Sequence, residues 1–342
     1  MHSTSCPRSV SVFAKKFLKV ALISTLAYLG TPSGSAMALA YSFTTIDVPG
    51  GFFTSATGVN DSGEIVGSFA DNTGNFGFLY KGGTFATLSP PGALQSDAVD
   101  INNAGHIVGS FTDSAGQHGF LNVGGAFMTI DFPGATSTLA LAIDNVGRIF
   151  GGFSSANNFS YFIAEGSNFT AFSCPDAFIC VDFNDNGRVV GTEGDEHHST
   201  GFVADIDGGN FDFINAPGCC FTRASGINNA GQIVGTFFSS FVVGGEDLCC
   251  VPRGFVNVGG SSGTFIPLDH PDAIPNVDFS VGTEAIRISD SGLVVGRFFD
   301  PQGGVHGFLA TPTVPEPASL MLFGVGLWGL SRMRRHLLCS QV

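Results

Sequence analysis

The chain has 342 residues; 44% are hydrophobic and only 12% charged, with 48 Gly and 35 Phe. That apolar content excludes bulk disorder, and plentiful Gly with Phe, Ile and Val favours short strands and tight turns over helices. The formal charge is −14, and between Tyr41 and Thr313 seven basic residues face 27 acidic ones, a balance of −20, which excludes nucleic acid as a partner because phosphate binding needs a basic face.

Residues 1–40 read as a secretory signal peptide. Lys15, Lys16 and Lys19 form its positive region, an apolar run follows from Val20, and Ala38-Leu39-Ala40 offers a small-x-small cleavage site. The run is short for a membrane span of ~20 residues, so Tyr41 is the expected first residue of the exported chain.

Residues 41–311 are written in repeats. Six related phrases occur: "VNDSGEIVGSF" from Val59, "INNAGHIVGSF" from Ile101, "IDNVGRIFGGF" from Ile143, "FNDNGRVVGTE" from Phe183, "INNAGQIVGTF" from Ile227 and "ISDSGLVVGRF" from Ile288. Their turn glycines, Gly63, Gly105, Gly147, Gly187, Gly231 and Gly292, are spaced by 42, 42, 40, 44 and 61 residues. A period near 42 indicates propeller blades or a comparable array. Each unit predicts four strands: an apolar strand ending in Asn or Asp, a turn whose Gly takes positive φ, a two-sided "IVGxF" strand, a "GFL" or "GFV" strand, and a strand of the form F-x-x-I/L. The sixth unit lacks the last of these. "FTTIDVPGG" from Phe43 stands alone before the first unit and matches "FMTIDFPGA" from Phe127. The expected fold is therefore all-β, a six-bladed β-propeller of four-stranded blades closed by the N-terminal strand, which leaves no open sheet edge.

The same phrases resemble the extracellular HAF-repeat family. "INNAGQIVG" and the "HGFL" of His118–Leu121 and His306–Leu309 carry the likeness, although Gly stands where that family has Ala after His, and the third unit has Ser160-Tyr161-Phe162 instead. The resemblance implies fold and an extracellular address; it brings no chemistry.

Recognition is expected where the units differ, on loops held by a rigid scaffold. The loops Cys174–Cys180, Glu193–Ser199, Cys219–Cys220, Ser239–Pro252 and Asp269–Glu284 should share one face. Cys174, Cys180, Cys219, Cys220, Cys249 and Cys250 are an even set in an exported chain, hence disulfide candidates. Cys174 and Cys180 suit a bridge across one loop, and the two adjacent pairs suit cross-loop bridges. Zinc is the alternative, but adjacent cysteines lack the usual ligand spacing. "DFNDNGRVVGTE", Asp182–Glu193, has a calcium-loop pattern. Its strand phase puts Glu193 about 20 Å from the Gly187 turn, so an ordinary turn is expected. "EGDEHH", Glu193–His198, reads as a solvated acidic loop before a metal site. No cofactor motif emerges.

First-strand positions facing the channel are Gly58, Asp100, Ala142, Asp182, Gly226 and Arg287. Asp100 and Asp182 are the candidate carboxylate pair, with Arg287 nearby.

Residues 312–342 form a tripartite tail. Val314, Pro315, Glu316 and Pro317 precede an apolar stretch, Ala318–Leu330, expected as a helix of ~20 Å, and then Arg332, Arg334 and Arg335, which hold that end in the cytoplasm. This order closely resembles the PEP-CTERM sorting signal of Gram-negative bacteria. The resemblance implies an exosortase-type processing enzyme as partner, a transient inner-membrane anchor, and a final place at the cell surface or in the extracellular matrix, often beside exopolysaccharide. The expected function is a non-enzymatic binding or structural protein; the alternative is a secreted polysaccharide hydrolase or lyase using the channel acids.

Overall fold

The computed structural model describes residues 40–313, apart from 157, 173, 175–177, 195–198, 208, 218–220, 244–245 and 274–281. The expected signal peptide and sorting tail thus lie outside the described residues. After β1 (Ala40–Ile46) the strands fall into units. The first is β2 (Phe53–Val59), β3 (Ile65–Asp71), β4 (Gly74–Lys81) and β5 (Thr84–Leu88). The second is β6 (Gln95–Ile101), β7 (Ile107–Thr112), β8 (Gln117–Val123) and β9 (Ala126–Ile130). The third is β10 (Ser137–Ile143), β11 (Ile149–Ser155), β12 (Asn158–Glu165) and β13 (Asn168–Phe172). The fourth is β14 (Phe178–Phe183), β15 (Arg188–Gly194), β16 (Ser199–Asp205) and β17 (Asp212–Ile214). The fifth is β18 (Phe221–Ile227), β19 (Ile233–Val243), β20 (Glu246–Val258) and β21 (Thr264–Leu268). The last three are β22 (Thr283–Ile288), β23 (Val294–Phe299) and β24 (Val305–Thr313). One 3-10 turn, Gly260–Ser262, is the helical content of the described residues.

Strands within a unit pair antiparallel in sequence order. The last three gain their fourth partner from the start of the chain: β1 lies antiparallel to β24, with Thr45 opposite Phe308 and Ala40 opposite Thr313. The first strands of the units neighbour one another in a cycle, β2–β6–β10–β14–β18–β22–β2. Single parallel bridges, Phe53 to Val305, Ser137 to Gln117 and Ser199 to Phe221, join the units in pairs into three eight-stranded sheets.

The repeated phrase has a steric reason. Every first strand carries a bulge one residue before its channel position, as between Ala98 and Asp100. A bulge puts two residues opposite one and bends the strand. The bent backbone presses on the Gly of "IVG": a Cβ at Gly109 would sit 2.0 Å from the Asp97 carbonyl oxygen and 2.8 Å from the Phe120 ring. The same collision recurs at Gly67, Gly151, Gly191, Gly235 and Gly296. Hence the "GFL" phenylalanines, Phe78, Phe120, Phe162, Phe202, Phe255 and Phe308, are all fully buried over a glycine.

The Asn-rich turns stitch the units together. Asn102 is 4% exposed; its Oδ1 accepts from the Ala104 and His106 amides of its own turn, and its Nδ2 donates to the Asp144 carbonyl of the next. Asn60, Asn184 and Asn228 reach forward to Asn102, Asn228 and Ser289 in the same way. One residue on, backbone amides of Asp61, Asn103, Asn145, Asp185 and Asn229 donate to the side chains of Asn103, Asn145, Asp185, Asn229 and Asp290. The amide of Ser291 donates to Asp61 at 2.7 Å, so the last turn bonds to the first.

One expectation is corrected. Ser239–Pro252 is no loop: β19 and β20 run on as a long hairpin, paired from Phe238 with Pro252 out to Val243 with Glu246. "FSSFVV" and "EDLCCV" supply enough aromatic and β-branched residues to continue a ladder that sibling units end early.

Replacing Gly109 with Ala is expected to cost about 1–3 kcal/mol through forced backbone shifts. Asn102→Ala removes three hydrogen bonds, the one to the Asp144 carbonyl being buried, and should cost about as much, roughly 1–3 kcal/mol. Urea unfolding of both variants against the wild type measures these losses.

Candidate functional site

The cycle of first strands carries Asp100 on β6, Asp182 on β14 and Arg287 on β22 to its centre, although 82 and 105 residues separate them in sequence. All three are buried, at 5%, 2% and 5% exposure. Arg287 Nε lies 3.4 Å from Asp100 Oδ1, its Nη1 pairs with Asp182, and its Nη2 donates to the Leu141 carbonyl at 3.1 Å. The second carboxylate oxygens accept backbone amides, Ile143 to Asp100 at 3.0 Å and Ile227 to Asp182 at 2.9 Å. Burial pushes the Asp100 carboxyl up to about 6 against the pull of Arg287, with the Asp182 charge adding to the rise. Burial raises Asp182 as well, again against Arg287. For Arg287 burial pulls downward, but the two carboxylates outweigh it and hold its pKa above the ordinary value. Chemically the three act as an electrostatic rivet.

Arg287 separates two cavities. One, of about 60 Å³, is lined by the amides and carboxylates of the turn ring, among them Asn102, Asp144, Asn184 and Asn228. The other, of about 410 Å³, opens at the opposite end between Val99, Leu139, Leu141, Ile179, Val181 and Ile286. Phe159, 51% exposed, and Ile179, 59% exposed, stand in its wall. Sequence reasoning missed this apolar mouth. The signal was available eight positions before each turn glycine, where Ser55, Asp97, Arg223 and Glu284 are polar but Leu139 and Ile179 are not.

The third unit departs most from its siblings beside this mouth. Gly152 lets the Phe159 ring lie across β11. Tyr161, where other units have Gly, accepts the Cys180 amide at 3.2 Å. Cys174 and Cys180 form a disulfide with Cα atoms 6.4 Å apart. Cys249 and Cys250 lie on β20, and their side chains are outside the description; Cys219 and Cys220 are outside the described residues. Glu193 lies one residue before the end of β15 and Ser199 opens β16, while residues 195–198 between them are outside the described residues. Asn184 spends its Oδ1 on the amides of Asn186 and Arg188, and Glu193 pairs with Phe178 at the far end of β15. The Asp182–Glu193 segment is a turn and strand like its siblings.

Ala40 and Thr313 are paired, and Pro312 lies beside the Gly292 turn. Ala40 and Thr313, the first and last described residues, therefore lie on the side of the turn ring, away from the apolar mouth.

Histidines on the mouth side sit between carboxylates. His118 Nδ1 is 2.9 Å from Asp131 and its Nε2 3.4 Å from Asp113. His306 Nδ1 is 2.9 Å from Asp47, on the segment after β1, and its Nε2 3.3 Å from Asp300. Hydrogen bonding to Asp131 raises His118 above the ordinary imidazole range. Burial opposes the same rise at His306, but Asp47 and Asp300 prevail.

Residues 313–335 match the PEP-CTERM protein-sorting motif, a signal that implies export and recognition by an exosortase-type enzyme. No curated protein sequence matches the chain significantly. Among solved structures, a streptogramin B lyase is 11% identical, covering 82% of this chain and 100% of its own, with a TM-score of 0.43. The β-propeller domain of the Trilobed protease from Pyrococcus furiosus is 9% identical over 76% of this chain and 82% of its own, at 0.43. A subtype N10 neuraminidase-like protein of A/little yellow-shouldered bat/Guatemala/060/2010 is 8% identical over 82% and 100%, at 0.46. Scores this low carry no argument about activity or ligand.

Arg287→Met should destabilise the fold by about 3–5 kcal/mol at neutral pH, since two buried carboxylates lose their counter-charge. The deficit should shrink as pH falls and those carboxyls take up protons. In the wild type, stability from His118 and His306 is complete below the unfolded imidazole range and is lost as pH rises through their raised values. Asp100, raised to about 6, acts in the same direction. Glu64, held low by its hydrogen bond from Lys81, loses its share only at acid pH. His270, lowered by burial, acts in the opposite sense, so the two carboxylate-paired histidines are isolated by difference. The thermal-midpoint gap between wild type and a His118→Asn/His306→Asn variant should narrow between about pH 5.5 and about pH 8, as scanning calorimetry across that range checks.

Proposed function

We propose that the chain is an exported, non-enzymatic binding protein, built as a six-bladed β-propeller that its own first strand closes. In this reading residues 1–40 are a signal peptide and 41–311 the propeller, with HAF-type repeats as its blades. Residues 312–342 are a sorting tail that an exosortase-type enzyme processes from a transient inner-membrane anchor. The mature protein belongs to the cell surface or extracellular matrix of a Gram-negative bacterium, where exopolysaccharide or another envelope component is its partner.

The observation that carries the binding reading is the commitment of Asp100 and Asp182. An acid–base pair needs carboxyl groups that reach substrate and exchange protons. Here each is shared between Arg287 and a backbone amide and buried from solvent. The pairing of Thr45 with Phe308 and the bond from Ser291 to Asp61 support the closed ring. The position of Ala40 and Thr313 on the turn side supports an orientation in which the mouth and the unit-to-unit loops face away from the attachment point.

Two measurements test this reading. The full-length chain, incubated with neutral and acidic polysaccharides, should release neither reducing ends nor unsaturated uronates; release that disappears in Asp100→Asn would establish the hydrolase or lyase reading instead. In an exosortase-bearing host, Arg332→Gln/Arg334→Gln/Arg335→Gln should accumulate as an unprocessed, membrane-associated form. Normal processing of that variant on an immunoblot would remove the tail from the argument.

A further inference from the structure

The boundaries between units are unequal. Three carry a parallel bridge. Of the others, that between the fifth and sixth units is shut by backbone, a Cβ at Gly282 lying 2.1 Å from the Pro252 carbonyl. That between the third and fourth is spanned by Tyr161 and the Cys180 amide. The boundary between the first and second opens instead into a cleft of about 390 Å³, within the size of small-molecule sites.

Its two walls differ in chemistry. The first unit contributes Phe52, 67% exposed, with Phe53 and Phe69 behind it. Phe52 is held in place by its amide bond to the Ala70 carbonyl at 2.9 Å and by the Gly51 amide bond to Val48. Asn75, from the start of β4, Gln95 and Asp97, from the start of β6, and Ser68 and Ala70, from β3, complete the lining, with Ser68 hydrogen-bonded to the Asp97 carboxylate. The next bridged boundary provides an internal comparison. There the positions of Asn75 and Gln95 are taken by Gln117 and Ser137, which hydrogen-bond to each other at 2.9 Å. Among the described residues, the side-chain amides of Asn75 and Gln95 make no hydrogen bond, so their donors and acceptors are available.

We propose that this cleft binds one neutral pyranose ring of a polysaccharide, its C–H face on Phe52 and its hydroxyls on Asn75, Gln95 and Asp97. A pyranose is itself two-sided, apolar on a face and ringed by groups that both donate and accept. A rigid aromatic beside two amides and a carboxylate matches both properties, and places few polar groups at the edge of an apolar wall. Charge selects the neutral sugar: the exported portion carries −20 and Asp97 lines the cleft, so a uronate would be repelled. The cleft lies on the side away from Ala40 and Thr313. The proposal rests on the reading of the chain as a binding protein and adds a ligand class and a location to it.

The test is retention of the full-length chain on immobilised dextran, mannan and galactan, with alginate as the acidic contrast. The wild type should be retained on at least one neutral polymer. Phe52→Ala and Asn75→Ala/Gln95→Ala should each weaken retention by about tenfold or more, the loss expected for a central anchor. Phe52→Trp should keep it. Leu94→Ala, which removes the 65% exposed counterpart of Phe52 in the second unit, should change nothing and controls for general surface effects. Retention unaffected by the Phe52 and Asn75/Gln95 variants would overturn the cleft while leaving polysaccharide binding intact. Retention on alginate alone would overturn the neutral sugar but not the binding reading. Retention on none of the four polymers would overturn both.

Discussion

The contact on which this architecture depends is that between a bulged first strand and the glycine facing it. With the Asp97 carbonyl only 2.0 Å from where a Gly109 Cβ would be, no other residue fits without moving backbone. The absent side chain has a second effect, because the space above it receives the ring of Phe120, which is fully buried. Bulge, glycine and phenylalanine thus form one packing unit, and its six copies supply six of the seven fully buried phenylalanines among the described residues. The bulge also turns the first strand's outer residues toward the centre, which is how Asp100, Asp182 and Arg287 come to share a small volume.

A second layer of order lies at the turns. Buried polar groups are tolerated only when bonded, and Asn60, Asn102, Asn184 and Asn228 meet that demand twice, once within their own turn and once on the neighbour. The following residue receives an amide from the preceding unit. Each turn is therefore fixed by its neighbours, and the register of one unit specifies the next, as in other repeat architectures. The apparent waste of writing "NNAG" or its relatives six times is a requirement of these bonds.

Against that regularity the departures stand out by position. The apolar mouth, the Tyr161 wedge, the disulfide of Cys174 and Cys180 and the open cleft all lie on the side opposite Ala40 and Thr313. The side that carries those two residues is instead saturated by the turn ring. The central charges belong to the regular part: a guanidinium between two buried carboxylates joins three units, and its worth depends on all three being present.

Sequence by itself determined the features that local chemistry dictates. Positive φ at Gly105 follows from its place as the last of three turn residues, the two-sided burial of "IVG" from its run of apolar residues, and the pairing of Phe43–Ile46 with the last unit from a missing strand and a matching orphan. Asp100, Asp182 and Arg287 were legible as channel positions because the repeat supplies a phase. What the tertiary structure alone decided depends on distances between units. The extension of β19 and β20 replaced an expected loop, since a ladder's end is set by pairing and not by composition. The pairing of Asp100 and Asp182 with Arg287 was likewise decided there, because a side chain's partner is fixed by three-dimensional reach. Which boundaries carry a bridge, and hence where Phe52 faces Gln95 across an open cleft, depends on how closely two strands approach. No single repeat encodes that separation, since it arises from the packing of both neighbours.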